Sequence, residues 1–410
     1  MGEKMKKFLY VFLISCFSLT NISCSSGDSG NSKSFTLLSC NSSTGNSGNG
    51  TQKAYIVGNA ESEKCSGTDC PVSKVVIWDL DGCMIDVGES VMGAVDAASH
   101  NNSIYIADDG GFYWIVRADN KIEKHQLNYP SGYKNSEVTG ISVNSIGDVY
   151  VAGMVVKKGK GGKEYNAYWK NGELVKAFIE GGTTSSEKHV AADSKGNIFI
   201  PGWRIDAHHN TDGVIWINGN IKILEPQSGD VEATDAVVGS ETASGSNVWI
   251  SGAYGDSNSS LAGYWRRKPN GNINEITKVT RVRTYNSPKG WAKFSRASSI
   301  FVKDSTVYMA GTVNVINAGE VPVYWKEQTQ HELPVEFNLN TCDYCRTEPN
   351  DIAVLDGKVL VVGDYHDRNE FVDYTYTNGE DKAVYWLDKK LHILCESCGS
   401  SYAVAVVVMD

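Results

Sequence analysis

Two phrases recur in alternation along the chain, and together they restrict its fold more than any other feature. The first is an apolar run, a polar turn and a second apolar run ending in Gly. It reads "ISVNSIGDVYVAG" (141–153), "HVAADSKGNIFIPG" (189–202), "SIFVKDSTVYMAG" (299–311) and "DIAVLDGKVLVVG" (351–363). The second centres on an aromatic pair followed by a turn: "AYWKNGELV" (167–175), "VIWINGNIKIL" (214–224), "GYWRRKPNGNINEI" (263–276), "VYWKEQTQHEL" (323–333) and "VYWLDKKLHIL" (384–394). Diverged copies stand earlier, at "VVIWDLDG" (75–82) and "FYWIVRADNKIEKHQL" (112–127). The anchoring residues Trp78, Trp114, Trp169, Trp216, Trp265, Trp325 and Trp386 are spaced by 36, 55, 47, 49, 60 and 61 residues.

Short alternating runs, polar turns at "SIGD", "SKGN" and "KNG", and almost no helical periodicity predict an all-β fold. Four short strands per unit of ~50 residues is the pattern of a β-propeller blade. The spacing predicts a seven-bladed propeller of four-stranded blades over residues 53–410, with the first strand of each blade innermost. Ala191, Ala192, Ala403 and Ala405 are the small residues such a crowded centre needs. The stretch "KAYIVGN" (53–59) matches a second-strand phrase without a first strand before it, and "SYAVAVVVMD" (401–410) has the form of a first strand. The C-terminal strand is therefore expected to complete the N-terminal blade, which removes exposed edges that would template aggregation. These phrases resemble the repeats of bacterial seven-bladed propeller proteins of the SBBP and NHL type, over most of residues 53–410. The resemblance implies a fold and leaves function open, because one fold hosts many activities. The chain does not resemble WD40 repeats, since Trp78-Asp79 has no recurring Gly-His partner.

Ahead of the repeats, Lys4, Lys6 and Lys7 precede the apolar run "FLYVFLISCFSLT" and then "NISC", the layout of an export signal over residues 1–23. A small residue followed by Cys resembles a bacterial lipoprotein signal, with lipidation at Cys24. Cys16, in "LISC", fits the usual motif better but leaves a shorter apolar run, and plain secretion is the alternative. Residues 24–52 are rich in Ser, Gly and Asn, the composition of a flexible tether. These features place the protein in the bacterial cell envelope, at the outer membrane or cell surface, touching the membrane through the lipid anchor alone. Loss of residues 1–23, with three Lys and one Glu, takes the formal net charge from −10 to −12. An acidic chain with a pI of 5.4 lacks the electrostatic footprint of a nucleic-acid binder. The basic run "KKGKGGK" (157–163) lacks the ending of a phosphate-binding loop and reads as a solvated loop.

The seven repeat tryptophans read as packing between blades, because aromatic side chains bury large areas between sheets. Trp249 reads as core. Trp203, Tyr254, Trp291 and Tyr365 fall where the chain leaves second strands or joins blades, on one face. With His366 they are the candidate ligand-binding residues, able to stack a sugar or grip a peptide. "DAHHNTDG" (206–213) and "DYHDRNEFVD" (364–373) hold metal-compatible His208, His209, Asp364 and Asp367. No spacing there is diagnostic, so neither a metal site nor a cofactor is expected. No nucleophile elbow, zinc-protease helix or triad motif is legible.

Cys65 and Cys70 ("CSGTDC"), Cys342 and Cys345 ("CDYC"), and Cys395 and Cys398 ("CESC") map to one face near the seam. In an exported chain they are disulfide candidates, with a four-Cys zinc site or reactive thiols as alternatives. Cys40 and Cys83 are expected to stay unpaired or to pair with each other. The whole reads as a monomeric binding or scaffold module for an envelope or extracellular protein, peptide or glycan on the loop-rich face. The alternative is a polysaccharide-active hydrolase or lyase with its site at the channel mouth.

Overall fold

The hairpin of the first phrase is set by its turn. Strands Arg346–Leu355 and Lys358–His366 are joined by Asp356 and Gly357, whose φ angles are 47° and 80°. Two successive positive φ values make the tight turn whose twist suits adjacent strands. The second phrase turns in the same way, at Asn171-Gly172 and Asn218-Gly219. Asp388-Lys389 repeats the geometry without glycine.

The computed structural model describes residues 52–61, 73–159, 162–178, 184–186, 189–205, 210–224, 230–256, 259–273, 277–278, 292–315, 319–335, 346–366, 370–372, 375–377, 381–395, 398 and 400–409. These are all β-strand, turn or irregular, with no helix among them. No helix long and apolar enough to cross a membrane occurs among the described residues.

Hairpins joined in sequence order give antiparallel sheets. One contains Ala94–His100, Ser103–Asp108, Phe112–Val116 and Ile122–Gln126. The next holds Tyr133–Val143, Val149–Lys157, Glu164–Lys170 and Glu173–Phe178. In a five-stranded sheet, Thr184–Ser186 and Ala191–Ala192 both pair with Ile198–Ile205, and Thr211–Ile217 and Asn220–Ile223 follow. A further sheet has Arg346–Leu355, Lys358–His366, Asp381–Leu387 and Lys390–Ile393. The fifth is ordered Met84–Ser90, Ser73–Asp79, Lys53–Ala60, Ser401–Met409, so the C-terminal strand pairs with the first described one from Lys53↔Met409 to Ala60↔Ser401. Between residues 230 and 332 the strands run on as one eight-stranded sheet, joined in the middle by a single parallel pairing, Ser260↔Phe294.

The core is divided among the interfaces between successive sheets. Val57, Val75, Ile77 and Val407 pack with Ile106 and Trp114 of the next sheet. Ala353, Leu360 and Tyr385 pack with Ile56, Trp78 and Ala403, joining the last sheet to the first. Trp78, Trp169, Trp216, Trp265, Trp325 and Trp386 are the largest fully buried side chains. The result is a β-propeller-like ring of sheets. Five sheets of four or five strands are separate, and the eight-stranded sheet is continuous, where the repeat count predicts seven discrete blades.

Second strands do not stop at the repeat glycine. Lys358–His366 runs three residues past Gly363, and Ile198–Ile205 runs three past Gly202. Residues that the sequence pattern puts in connecting loops thus lie in strands.

Candidate functional site

The repeat glycine has a positional reason. A Cβ on Gly363 would sit 2.0 Å from the carbonyl oxygen of Glu348. The same collision would occur between Gly58 and Tyr402, Gly153 and Glu137, Gly252 and Glu232, and Gly311 and Arg296. In each case the first strand leans onto the second just before a bulge, such as Pro349/Asp351 or Ala233/Asp235. Bulges re-aim side chains, and the residue whose carbonyl meets the glycine holds an equivalent station in five sheet units.

Three of these stations converge. Glu232, Arg296 and Glu348 line a cleft of about 450 Å³ with Asp230, Glu320 and Phe294. Glu232 Oε2 lies 3.4 Å from Arg296 Nε. Carboxylates outnumber cations in this lining, and Phe294 adds an exposed aromatic ring. Such a surface offers acceptors to hydroxyl and ammonium donors.

Beside Glu348 stands an oriented imidazole. His366 Nδ1 is 2.6 Å from Asp381 Oδ1, and Tyr402 Oη donates to Asp381 Oδ2 at 2.5 Å. Asp381 is buried. His366 Nδ1 and Tyr402 Oη thus converge on the two oxygens of one buried carboxylate. His366 Nε2 is 4.0 Å from Glu348 Oε2. Burial, and then the Asp381 carboxylate, hold the Tyr402 hydroxyl well above the usual tyrosine range. Next to this group, Asp364 accepts from Asn350 Nδ2 and the Ala403 amide, both at 2.8 Å, tying the last sheet to the C-terminal strand.

Deeper along the first strands lies a second polar set. Asp96 and Asp235 are buried and Asp351 is half-buried, and each takes one hydrogen bond from the following residue's amide. The other carboxylate oxygen accepts from an amide of a neighbouring first strand: Ile141, Ile300 and Val406 respectively, all at 2.8 Å. These aspartates are straps between strands. His189, at φ 82°, sends Nδ1 to Asp96 Oδ1 at 3.0 Å. Burial works against its charge, but the carboxylates of Asp235, Asp96 and Asp351 outweigh it and push the imidazole up to about 10. Burial likewise raises Asp235 to about 6 and raises Asp351.

Of the candidates drawn from sequence, His366 does not line the cleft but lies 4.0 Å from Glu348, which does. Tyr365 is half-buried and packs beside an apolar cluster containing Trp386. Tyr254 is buried in the core with Trp265. Trp203 is half-buried in a strand, paired with Ser185 and Gly213, while Trp249 is buried against Tyr264 with Arg266 over its ring. Cys24, Trp291, Cys65, Cys70, Cys342, Cys345, Cys40, His208, His209 and Asp367 lie outside the described residues. Cys395 and Cys398 are disulfide-bonded, with Cα atoms 5.4 Å apart. Cys83 is also in a disulfide, whose partner lies outside the described residues. Among the described residues no group of three or more His, Cys, Asp or Glu is placed to hold a metal ion.

Sequence reasoning missed Glu232, Arg296, Glu348 and the strap aspartates. The signals were there: "VDAA", "TDAV" and "NDIA" repeat an Asp inside apolar first strands. Glu232, Arg296 and Glu348 each stand three residues before the equivalent first-strand position.

No protein-family model matches the chain, and no curated protein sequence matches it. Solved structures do resemble it. A catalytically inactive virginiamycin B lyase from Staphylococcus aureus with quinupristin is 12% identical, covers 76% of this chain and 92% of its own, and has a TM-score of 0.40. The acylaminoacyl peptidase of Pyrococcus horikoshii is 12% identical over 84% of this chain and 50% of its own, at 0.48. An Aleuria aurantia lectin variant in complex with α-methyl-L-fucoside is 12% identical over 70% of this chain and 98% of its own, at 0.33.

Proposed function

We propose that this protein is a lipid-anchored, extracytoplasmic seven-bladed propeller that binds a glycan in the cleft formed by Glu232, Arg296 and Glu348. The cleft carries the reading. It combines acidic and amide acceptors, including Asn314, with the exposed ring of Phe294, and its volume of about 450 Å³ is in the range of small-ligand sites. Hydroxyl groups donate to carboxylates, and an aromatic face packs on the apolar face of a sugar ring. The count of seven is supported by apolar interfaces that follow one another cyclically, with the eight-stranded sheet taken as two blades. Lys4, Lys6, Lys7, the apolar run and Cys24 support residues 1–23 as a lipoprotein signal, with 24–52 as tether and 53–410 as propeller.

A glycan array probed with the mature protein tests the binding role. Glu232→Gln and Phe294→Ala should each weaken the best hit by about tenfold, the scale of one charged hydrogen bond or one aromatic contact. No binding to any glycan would sink the reading. Metabolic labelling with a palmitate analogue tests the anchor, since Cys24→Ser should abolish the label.

The rival role, acid–base hydrolysis or elimination on a polysaccharide, rests on the Asp381-held imidazole of His366 beside Glu348. Cleaved product from the best-binding glycan, lost in His366→Gln, would favour it.

A further inference from the structure

We propose that Cys395 and Cys398 form a redox-active centre that exchanges its disulfide with a cysteine pair of a protein or peptide substrate. The site is separate from the glycan cleft and goes beyond that reading. The two cysteines are bonded at a sequence separation of 3, with Cα atoms 5.4 Å apart. Both residues are half-buried, so neither is sealed from solvent. The Cys398 amide donates to Cys395 Sγ at 3.1 Å. A hydrogen bond to sulfur favours the thiolate, and the thiolate is the species that attacks and leaves in exchange. The two sulfurs are not equivalent. Cys398 packs against the apolar core shared by the last and first sheets, which directs attack to Cys395.

This crosslink has little folding work to do. A disulfide stabilises chiefly by restricting the unfolded chain, and least where the closed loop is shortest. Here both flanks are held by hydrogen bonds of their own. The Leu394 amide donates to the Ala383 carbonyl at 2.9 Å, and the Glu61 amide to the Ser400 carbonyl at 2.8 Å. Between them, Lys382 Nζ donates to the Cys398 carbonyl at 2.8 Å. Strand Ser401–Met409 then pairs along Lys53–Ala60. The loop therefore keeps its place whether the sulfurs are joined or apart, as repeated exchange requires.

The exchange balances without a further reagent. One substrate thiolate attacks Cys395 Sγ, a mixed disulfide forms, and Cys398 leaves as a thiolate. The second substrate thiolate attacks the substrate sulfur of that mixed disulfide and expels the Cys395 thiolate, which the Cys398 amide stabilises. Two substrate thiols become one disulfide, and their two electrons and two protons end on Cys395 and Cys398. The reverse sequence reduces a substrate disulfide.

The test mixes the mature protein with a synthetic peptide that carries two cysteines. Differential alkylation and mass spectrometry read the segment holding Cys395 and Cys398 separately from the other cysteines. With the dithiol peptide, this pair should become reduced as the peptide is oxidised. The reaction should run at least about tenfold faster than with oxidised glutathione at equal concentration, whose leaving thiol has no such stabilising amide. With the disulfide peptide, Cys398→Ala should accumulate a mixed disulfide at Cys395. Cys395→Ala should form one at Cys398 at least about tenfold more slowly, because access governs exchange. A variant carrying both substitutions should keep the wild-type unfolding midpoint, whereas a fall would assign the bond to folding instead. A pair that stays oxidised, or that exchanges no faster than glutathione, would overturn the proposal.

Discussion

His189 Nδ1 lies 3.0 Å from Asp96 Oδ1, across two sheets that are not neighbours in sequence order. Gly140, on the intervening sheet, makes the reach possible, because a Cβ there would sit 2.6 Å from His189 Cα. The pair makes stability depend on pH. The folded-state value of His189, about 10, lies above the ordinary 6.5. Its stabilisation is therefore fully present below pH 6.5 and is lost as pH rises to about 10. Asp235, raised from 3.8 to about 6, acts in the same sense in a lower window, with stability lost between pH 4 and 6. Urea midpoints across pH 4 to 10 should fall through both windows. His189→Gln should flatten the upper fall and Asp235→Asn the lower.

Gly363→Ala should destabilise the protein by about 1–3 kcal/mol, the usual range for overpacking a tight site. The added methyl would lie 2.0 Å from the Glu348 carbonyl, and rigid backbone cannot move aside cheaply. Equilibrium urea unfolding measures it, and a change below about 0.5 kcal/mol, the scatter of ordinary surface substitutions, would show that the strand relaxes.

Trp386 and Trp216 are both fully buried, yet their indole nitrogens differ. Trp386 Nε1 donates to the Pro334 carbonyl at 2.7 Å, whereas Trp216 Nε1 has no partner among the described residues. Trp386→Phe should therefore cost about 1 kcal/mol more than Trp216→Phe, the net worth of one hydrogen bond. Similar losses in the two variants would mean that packing alone matters at both sites.

Truncation after Ser400 removes Ala403, Ala405, Val406 and Val407 from the core, together with the amides that satisfy Asp351 and Asp364. At ~25 cal/mol per Å² the apolar loss is several kcal/mol, comparable with the whole stability of a domain. Strand Lys53–Ala60 would also gain an open edge. Aggregation or a collapsed unfolding midpoint is expected. A soluble monomer with the wild-type midpoint would contradict the pairing of Ser401–Met409 with Lys53–Ala60.

The strand order and the pairing of 401–409 with 53–60 were legible because period-two alternation and turn residues carry them locally. Trp78 through Trp386 announced the interfaces for the same reason. The cleft was not legible. Its residues gain meaning only when first strands are aligned on the bulge, and bulges at Pro349/Asp351 or Ala233/Asp235 leave no local composition mark. Tyr254 and Tyr365 misled in the opposite direction. Aromatics beyond the repeat glycine suggest loop positions, yet strands Gly245–Asp256 and Lys358–His366 continue through them.

The glycine–carbonyl contact separates two requirements that usually conflict. Because Gly58, Gly153, Gly252, Gly311 and Gly363 set the backbone path, the side chain at the facing station does not have to set it. Glu137, Glu232 and Glu348 share this station with Arg296 and Tyr402, so it takes acidic, basic and aromatic side chains. A lineage can therefore exchange residues at this ring one at a time, drifting between acidic, basic and aromatic ligand preferences while the scaffold stays fixed. Diversity in such repeats should concentrate on the residue opposite the glycine, with the glycine itself under the stricter constraint.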